Sequence, residues 1–451
     1  MMRDTFNQTT LRETMRSWSG RTGQVLTLRQ NFVWTLVGNT IFAAAQWGML
    51  AVIAKLGDPE MVGAFAFALA LTAPVVIFAN LKLRAVQATD VAQDFQFGHY
   101  LSLRLLMLGL AFIGICVFVG FSNYTDRVAL VIICVAVAKC FDALSDILYG
   151  YLQLHERMDK VSISRIVQGI AQLLTLAFVL SISHDLLLTL LAWAVVSGAV
   201  TLLYDAPSVR YVRDNMLQVH SVLASEASLA PVWQWFDLKR LFRVALPLGF
   251  ATMLGSLWFS IPRYVIQYYL GTYQLGIFAA IASLLAVGST ITTALGQSTS
   301  PSLAKHHAYI RYQAFDRLIV KLVVLGVLIG LSGIAVAWLI GAPVLTLLYT
   351  AEYAAHVTLM VWILVAMCIQ FSYVFLGTGL QAMRDFRFFL PIQIASCILI
   401  LVLSIVLVPI YGLVGAAWAM GGANVFELLF FLIVFLYVRQ NARRSQSMVS
   451  I

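Results

Sequence analysis

Lys139, Asp142 and Asp146 fall within the octapeptide KCFDALSD, in the middle of an apolar run that otherwise reads as a membrane crossing. A charge at the centre of a bilayer costs about 2.5–3.5 kcal/mol on insertion scales, so three together need a reason. On a helix they share an arc of about 60°, a polar face continued by Tyr149 and Gln153. Such a face either satisfies itself, through a Lys139–Asp142 pair spaced i,i+3, or lines a cavity and meets a ligand or a coupling ion. Arg263 follows Pro262 and has no acid within four residues. Its planar guanidinium suits bidentate contact with phosphate; snorkelling to the outer interface is the competing reading. Glu427, a turn after Asn424, is a third polar site. Asp142, Asp146 and Glu427 are candidates for proton or sodium coupling, because desolvation favours the neutral carboxyl. For Glu427 a helix–helix hydrogen bond is the alternative.

The elements that position these groups follow from composition. Of 451 residues, 61% are apolar and 11% charged, against roughly 45–50% and 25% in soluble domains. The chain therefore reads as an all-α polytopic membrane protein, whose apolar stretches approach the 20 or so residues that a spanning helix needs. Twelve spans are expected: about 31–55, 61–81, 101–121, 128–152, 163–182, 186–204, 242–270, 273–296, 318–340, 355–381, 390–409 and 413–437. Lys139 then lies about 16 Å from the outer end of span 4, and Arg263 about 12 Å from that of span 7. With the N-terminus in the cytoplasm, 25 of the 29 lysines and arginines collect on one side. Only Lys55 and Arg127 fall on the other side, while Lys139 and Arg263 lie within spans. Both termini are expected in the cytoplasm. The polar, arginine-rich first 30 residues show no cleavable signal pattern. The net charge of +9 is spread over every cytoplasmic loop, which suits anionic lipid headgroups and excludes a nucleic-acid patch.

The halves repeat weakly. Gly63-Ala-Phe-Ala matches Gly276-Ile-Phe-Ala, and Arg104 matches Arg317, both at an offset of 213; Ala192-Trp-Ala matches Ala417-Trp-Ala. Six spans per half give the copies the same topology, so two six-helix lobes around a central cavity are expected. The organisation is a cytoplasmic segment 1–30, a first lobe 31–204, a cytoplasmic linker 205–238, a second lobe 239–438 and a cytoplasmic tail 439–451. Pro207, Ser221, Ser225, Ser228 and Pro231 mark the linker as having little regular structure. No Walker A, HExxH, GxSxG or paired-cysteine pattern is present, so no catalytic or metal residues are assigned. The expected outer loops, the longest being 341–354, are short, which disfavours a polytopic glycan ligase or polymerase.

Four stretches together carry a resemblance: SDILYGYLQLHERMDKVSISRIVQG (145–169), SIPRYVIQYYLGTYQLGIFAAI (260–281), LLYTAEYAAHV (347–357) and PIYGLVGAAWA (409–419). Their order and placement resemble the polysaccharide-biosynthesis transporters of the multidrug/oligosaccharidyl-lipid/polysaccharide (MOP) superfamily, which include the O-antigen flippases. The resemblance implies a bacterial inner-membrane flippase that moves an undecaprenyl-pyrophosphate-linked oligosaccharide outward by alternating access. It needs no cofactor beyond a possible proton or sodium ion. The glycosyltransferases and polymerase of the same pathway are its implied partners. In that reading Arg263 and Lys139 meet the diphosphate, while Trp47 and Trp258, bordering the lobe interface, stack on sugars. A drug antiporter of the same fold is the rival. Span 1 offers Asn39 and Gln46 but none of the acids that such antiporters often carry there. A membrane scaffold is a third reading and would not need charge at the midplane.

Overall fold

The computed structural model describes residues 27–447 except 91–93, 123, 220–228, 285, 310 and 384–386. The arginines at 3, 12, 16, 21 and 384 and the serines at 221, 225 and 228 lie outside the described residues, as does most of the expected N-terminal segment. Helices dominate the described residues because a backbone in lipid must bond to itself.

Span 1 is Leu28–Leu56, span 2 Pro59–Asn80, span 3 Phe97–Phe121, span 4 Asp126–Leu154 and span 5 Met158–Ser183. Span 6 begins at Leu186 and does not stop where the apolar run does. It passes through one π turn, Thr201–Asp205, and continues as helix through Ala206–Val219. The expectation of an irregular linker from 205 is therefore corrected. Val209 and Val212 pack on Tyr149, Tyr151, Leu152 and Val161, and this apolar strip gives the segment a reason to stay helical.

Spans 7 and 8 join within Trp235–Ser283, broken at Gly271, whose φ of 83° favours glycine. Span 8 resumes as Ala286–Ala308. Spans 11 and 12 join within Phe389–Ser447 and break at Gly412, with φ 61° and ψ −140°. A Cβ would have open space at both glycines, so backbone conformation rather than room selects them. Span 9 is Tyr312–Leu348, bent at Ile340, and span 10 is Val357–Ala382. The stretch expected as the loop 341–354 is mostly helical, since a further helix covers Ala351–Ala354. Ten helices are long and apolar enough to cross a membrane, and the two glycine breaks divide two of them, giving twelve crossings among the described residues. Span 7 remains helical through Pro247 and Pro262.

The lobes meet along span 2, which lies against spans 7 and 8. At the outer end, as the basic residues orient it, the two repeated glycines oppose each other. A Cβ on Gly63 would fall 1.9 Å from the Thr272 carbonyl oxygen, and one on Gly276 would fall 1.8 Å from that of Pro59. The same end is tied by Lys55 Nζ donating to the Leu347 carbonyl at 2.7 Å and by Tyr264 donating to the Ala70 carbonyl. One continuous apolar core joins both lobes there. Towards the cytoplasm the core divides. Leu303, Phe315, Phe375, Ile392 and Phe435 form a cluster of the second lobe. Leu81, Tyr100, Leu103 and Ile147 form another with Leu238, Leu241 and Ala245 of span 7. The cytoplasmic end of span 7 thus packs on the first lobe, although the expected boundary at 239 assigns it to the second. One end of the lobe interface thus shares a single apolar core, and the other end holds separate clusters.

The glycine pair is testable as a gate. With Gly276→Val the outer ends are driven apart, and a cysteine at Ala70, which is 1% exposed, gains several-fold reactivity towards an impermeant maleimide added outside. Unchanged labelling would place the gate elsewhere.

Candidate functional site

Span 4 carries the polar face, and the neighbouring helices divide it in two. Lys139 Nζ lies 2.9 Å from Asp142 Oδ2 and sits over the Trp193 ring at 5.2 Å. Asp142 also accepts from Gln168 at 2.7 Å and Gln172 at 3.4 Å, both on span 5. Gln172 in turn donates to Ser197 and accepts from Gln46 of span 1. The carboxylate is therefore saturated, and the self-satisfied pair is what forms.

Asp146 does not join Lys139. It lies 3.3 Å from Arg84 Nη1 and 3.3 Å from Arg104 Nη2. Arg104 is fully buried and also donates to Asn80 Oδ1. The count of basic residues places it with a cytoplasmic loop, whereas it is buried in the lobe; Arg317, its match in the repeat, is exposed, so the matched arginines have different environments. Arg84 reaches span 4 from the short helix Leu83–Thr89, which two left-handed residues, Leu81 and Lys82, turn back under the lobe. Gly150 lets that helix approach, since a Cβ there would fall 2.2 Å from Gln87 Oε1.

Span 5 supplies a cation that the loop count concealed. Arg165 lies between two rings, its guanidinium carbon 4.9 Å from the Phe42 centroid and 5.6 Å from that of Tyr149. Its buried Nε has no hydrogen-bond partner, and among the described residues no carboxylate forms an ion pair with it. Close packing of span 1 on span 5 at Gly169 fixes Phe42, whose Cα a Cβ on Gly169 would approach to 3.2 Å. Arg84 shares the Tyr149 ring at 5.5 Å, so two guanidiniums flank one aromatic side chain.

Asp205, at the end of the π turn, is fully buried and accepts from Ser145 at 2.6 Å and from Ser164. Ser164 also meets the Tyr149 hydroxyl at 2.7 Å. Ser164 thus donates to Asp205 and accepts from Tyr149, whose single proton has Gln168 Oε1 at 3.4 Å as its alternative acceptor, while Gln168 itself donates to Asp142. Its sequence signal was available as Ser164, Gln168 and Gln172 at four-residue spacing, facing Ser145 and Tyr149 on span 4.

The second lobe holds the other candidates apart. Arg263 is half-buried, with no hydrogen bond or ion pair among the described residues. Glu427 is 6% exposed beside the hydroxyls of Ser396 and Tyr373, with no cation paired to it among the described residues. Asn424 accepts from Tyr373 at 3.3 Å and donates to the Ala366 carbonyl at 2.8 Å. Trp258 is 3% exposed and donates to Ser396 at 2.8 Å. Its ring is covered by the lobe interior, which corrects the expectation that it stacks on a sugar. Trp47 is half-buried, its indole beside the Tyr349 hydroxyl without a well-aligned hydrogen bond. Tyr268, Tyr269 and Tyr273 are exposed at the outer rim, as an aromatic belt requires. Among the described residues no three of His, Cys, Asp and Glu converge as metal ligands would.

The arrangement has one chemical consequence. The first lobe's aspartates are already bound, whereas Arg165 and Arg263 keep free donors. A mobile ligand there meets cations, and an anion is the matching charge.

The triad at Asp146 is the structural half of this site. Asp146→Asn leaves the buried Arg104 without a counter-charge and lowers stability by about 3 kcal/mol, the low end for breaking a buried pair because Asp146 is 27% exposed. Unfolding followed by intrinsic fluorescence in detergent reads the loss, and adding Arg104→Leu restores part of it. A double variant no better than the single would show that the pairing is not what stabilises the lobe.

Residues 28–307 match the family of polysaccharide biosynthesis proteins. The capsular polysaccharide biosynthesis protein CapF of Staphylococcus aureus is 29% identical over 391 residues, 86% of this chain and 94% of that protein. Among solved structures, an inward-facing multidrug resistance MATE family transporter of the MOP superfamily superposes with a TM-score of 0.71 at 12% identity, covering 92% of this chain and 99% of that one. The lipid II flippase MurJ, in an inward closed conformation, gives 0.69 at 10% identity, covering 91% and 90%. With the family match spanning more than half of its length, the chain belongs to the family of polysaccharide biosynthesis proteins, and it shares its fold of many membrane-crossing helices with the solved transporters on which it superposes.

Proposed function

We propose that the protein moves an undecaprenyl-pyrophosphate-linked oligosaccharide from the cytoplasmic to the outer leaflet of the bacterial inner membrane, with both termini in the cytoplasm. The observation that carries the reading is Arg165, a half-buried guanidinium held between Phe42 and Tyr149 with an unpartnered buried Nε. A diphosphate entering from the cytoplasmic side meets Arg165 first. Arg263, on span 7 nearer the outer end, suits a later station. Lys139, expected to be such a station, is bound to Asp142 and contributes a weaker field.

Energetics supports the direction. A diphosphate carried outward moves negative charge towards the positive side of the membrane, downhill by about 2.3 kcal/mol per charge per 100 mV. The loaded step then needs no nucleotide. Resetting the empty carrier is where Glu427 fits. It is a buried carboxyl with no cation paired to it among the described residues, and proton uptake and release there would bias the two lobe arrangements. Glycosyltransferases and a polymerase of the same pathway would supply and consume the cargo. An organic-cation antiporter of the same fold would instead call for an unneutralised acid in the cavity, and the aspartates of the first lobe are committed to Lys139, Arg84, Arg104 and serine hydroxyls.

Sealed vesicles containing the purified protein and a fluorescent undecaprenyl-pyrophosphate oligosaccharide test the proposal. Transfer is protein-dependent, faster under an inside-negative potential, and reduced about tenfold or more by Arg165→Ala or Arg263→Ala, equivalent to at least roughly 1.4 kcal/mol. Arg165→Lys keeps the charge but loses the fork, and it recovers only part of the rate. Transfer that is indifferent to both arginines, together with export of an organic cation, would hand the protein to the antiporter reading.

A further inference from the structure

Span 8 is built unlike its neighbours. Its second arm, AVGSTITTALGQSTSPSLAKHHA, falls outside the helices that are apolar enough to cross a membrane on composition alone. It packs on spans 9 and 10 through one face, where Thr292 is 2% exposed, Leu303 is fully buried and Gly296 lies against Thr378. Thr292, Ser298 and Thr299 return their hydroxyls to the helix's own carbonyls. On the opposite side Thr293, Gln297 and Pro301 are exposed at four-residue spacing. Among the described residues neither the Thr293 hydroxyl nor the Gln297 amide has a partner.

A bare amide in hydrocarbon costs several kcal/mol, so this face belongs to water and not to lipid. The apolar clusters at the cytoplasmic end are separate, one built from spans 8 to 12 and the other from spans 2 to 4 with the end of span 7. From Ala286 to Ala304 the arm carries no Asp, Glu, Lys or Arg, in contrast with the guanidiniums of the first lobe. An uncharged wall with a hydroxyl, an amide that both donates and accepts, and a flat proline ring matches sugar hydroxyls and C–H faces.

We infer that the exposed face of span 8, centred on Thr293 and Gln297, binds the saccharide of the cargo, while Arg165 holds its diphosphate. The inference rests on the flippase reading and adds a division of labour between the lobes. Diphosphate and first sugar are covalently adjacent in such a lipid, so the two lobes can engage them together.

The test compares binding of undecaprenyl pyrophosphate, bare and carrying a trisaccharide, to the purified full chain in nanodiscs. In the native protein the sugar tightens binding about tenfold, roughly one well-placed hydrogen bond to an amide. Gln297→Leu and Thr293→Val each cut that gain to within about twofold, whereas Ser298→Ala, whose hydroxyl is spent on the Leu295 carbonyl, keeps it. Melting temperatures confirm that the variants are folded. No gain from the sugar in the native protein, or a gain that survives in both variants, overturns the inference and leaves the diphosphate site standing. Failure of the native protein to bind the bare lipid would instead sink the flippase reading, and this inference with it.

Discussion

Charge inside a bilayer must be paired, hydrogen-bonded or exposed to water, and the first lobe is organised by that requirement. Asp146 is the point at which three segments meet: span 4 provides the carboxylate, span 3 the buried Arg104, and the turn after span 2 provides Arg84. Removing any partner leaves a charge that the interior cannot solvate, so the triad fixes the cytoplasmic ends of spans 2 to 4 relative to one another. Asp142 does the same between spans 4 and 5, and Asp205 ties span 6 to both. With Asp142, Asp146 and Asp205 committed in this way, Arg165 beside them is left without a fixed counter-charge among the described residues.

The two halves share a topology and use it differently. At the outer end the equivalent glycines Gly63 and Gly276 bring the backbones together, a contact that any side chain would forbid. Further in, the equivalence lapses. Where the first lobe has an arginine-and-aspartate network, the second has Glu427 among tyrosine, serine and asparagine. Repetition thus governs how the lobes touch, and divergence governs what each can hold. In the proposed transport cycle, rocking about the glycine contact would change access without rebuilding either polar network.

Much of this was legible in the chain. Apolar runs located the crossings, and Gly271 and Gly412 fell in two of the short outer turns. The Lys139–Asp142 pair followed from helical spacing alone. Arg104 and Arg165 were hidden because a count of basic residues assigns charge by distance from an apolar run, and both stand within a few residues of one. Only the fold reveals that Asp146 and two aromatic rings face them. Asp205 was lost for a related reason. The apolar run ends there, but the helix does not, because its far arm is held by packing on Tyr149 and Tyr151. Trp258 illustrates the reverse error: lying near the lobe interface did not make its ring accessible, since Ser396 draws the indole inward.

The same balance sets how tightly such a carrier can hold an anion. A guanidinium already paired with aspartate offers little further attraction, and one isolated in a dry pocket would bind a diphosphate too strongly to release it. Arg165 lies between these limits. Aromatic faces stabilise its charge by roughly 0.5–2 kcal/mol, far less than an ion pair in the same surroundings, and leave its edge free. Nearby Asp142, Asp146 and Asp205 temper its field without touching it. In the proposed cycle, water entering from the outer side would restore screening and lower the anion's advantage at the site, so capture and release would need no change in the residues, only a change in which side is wet.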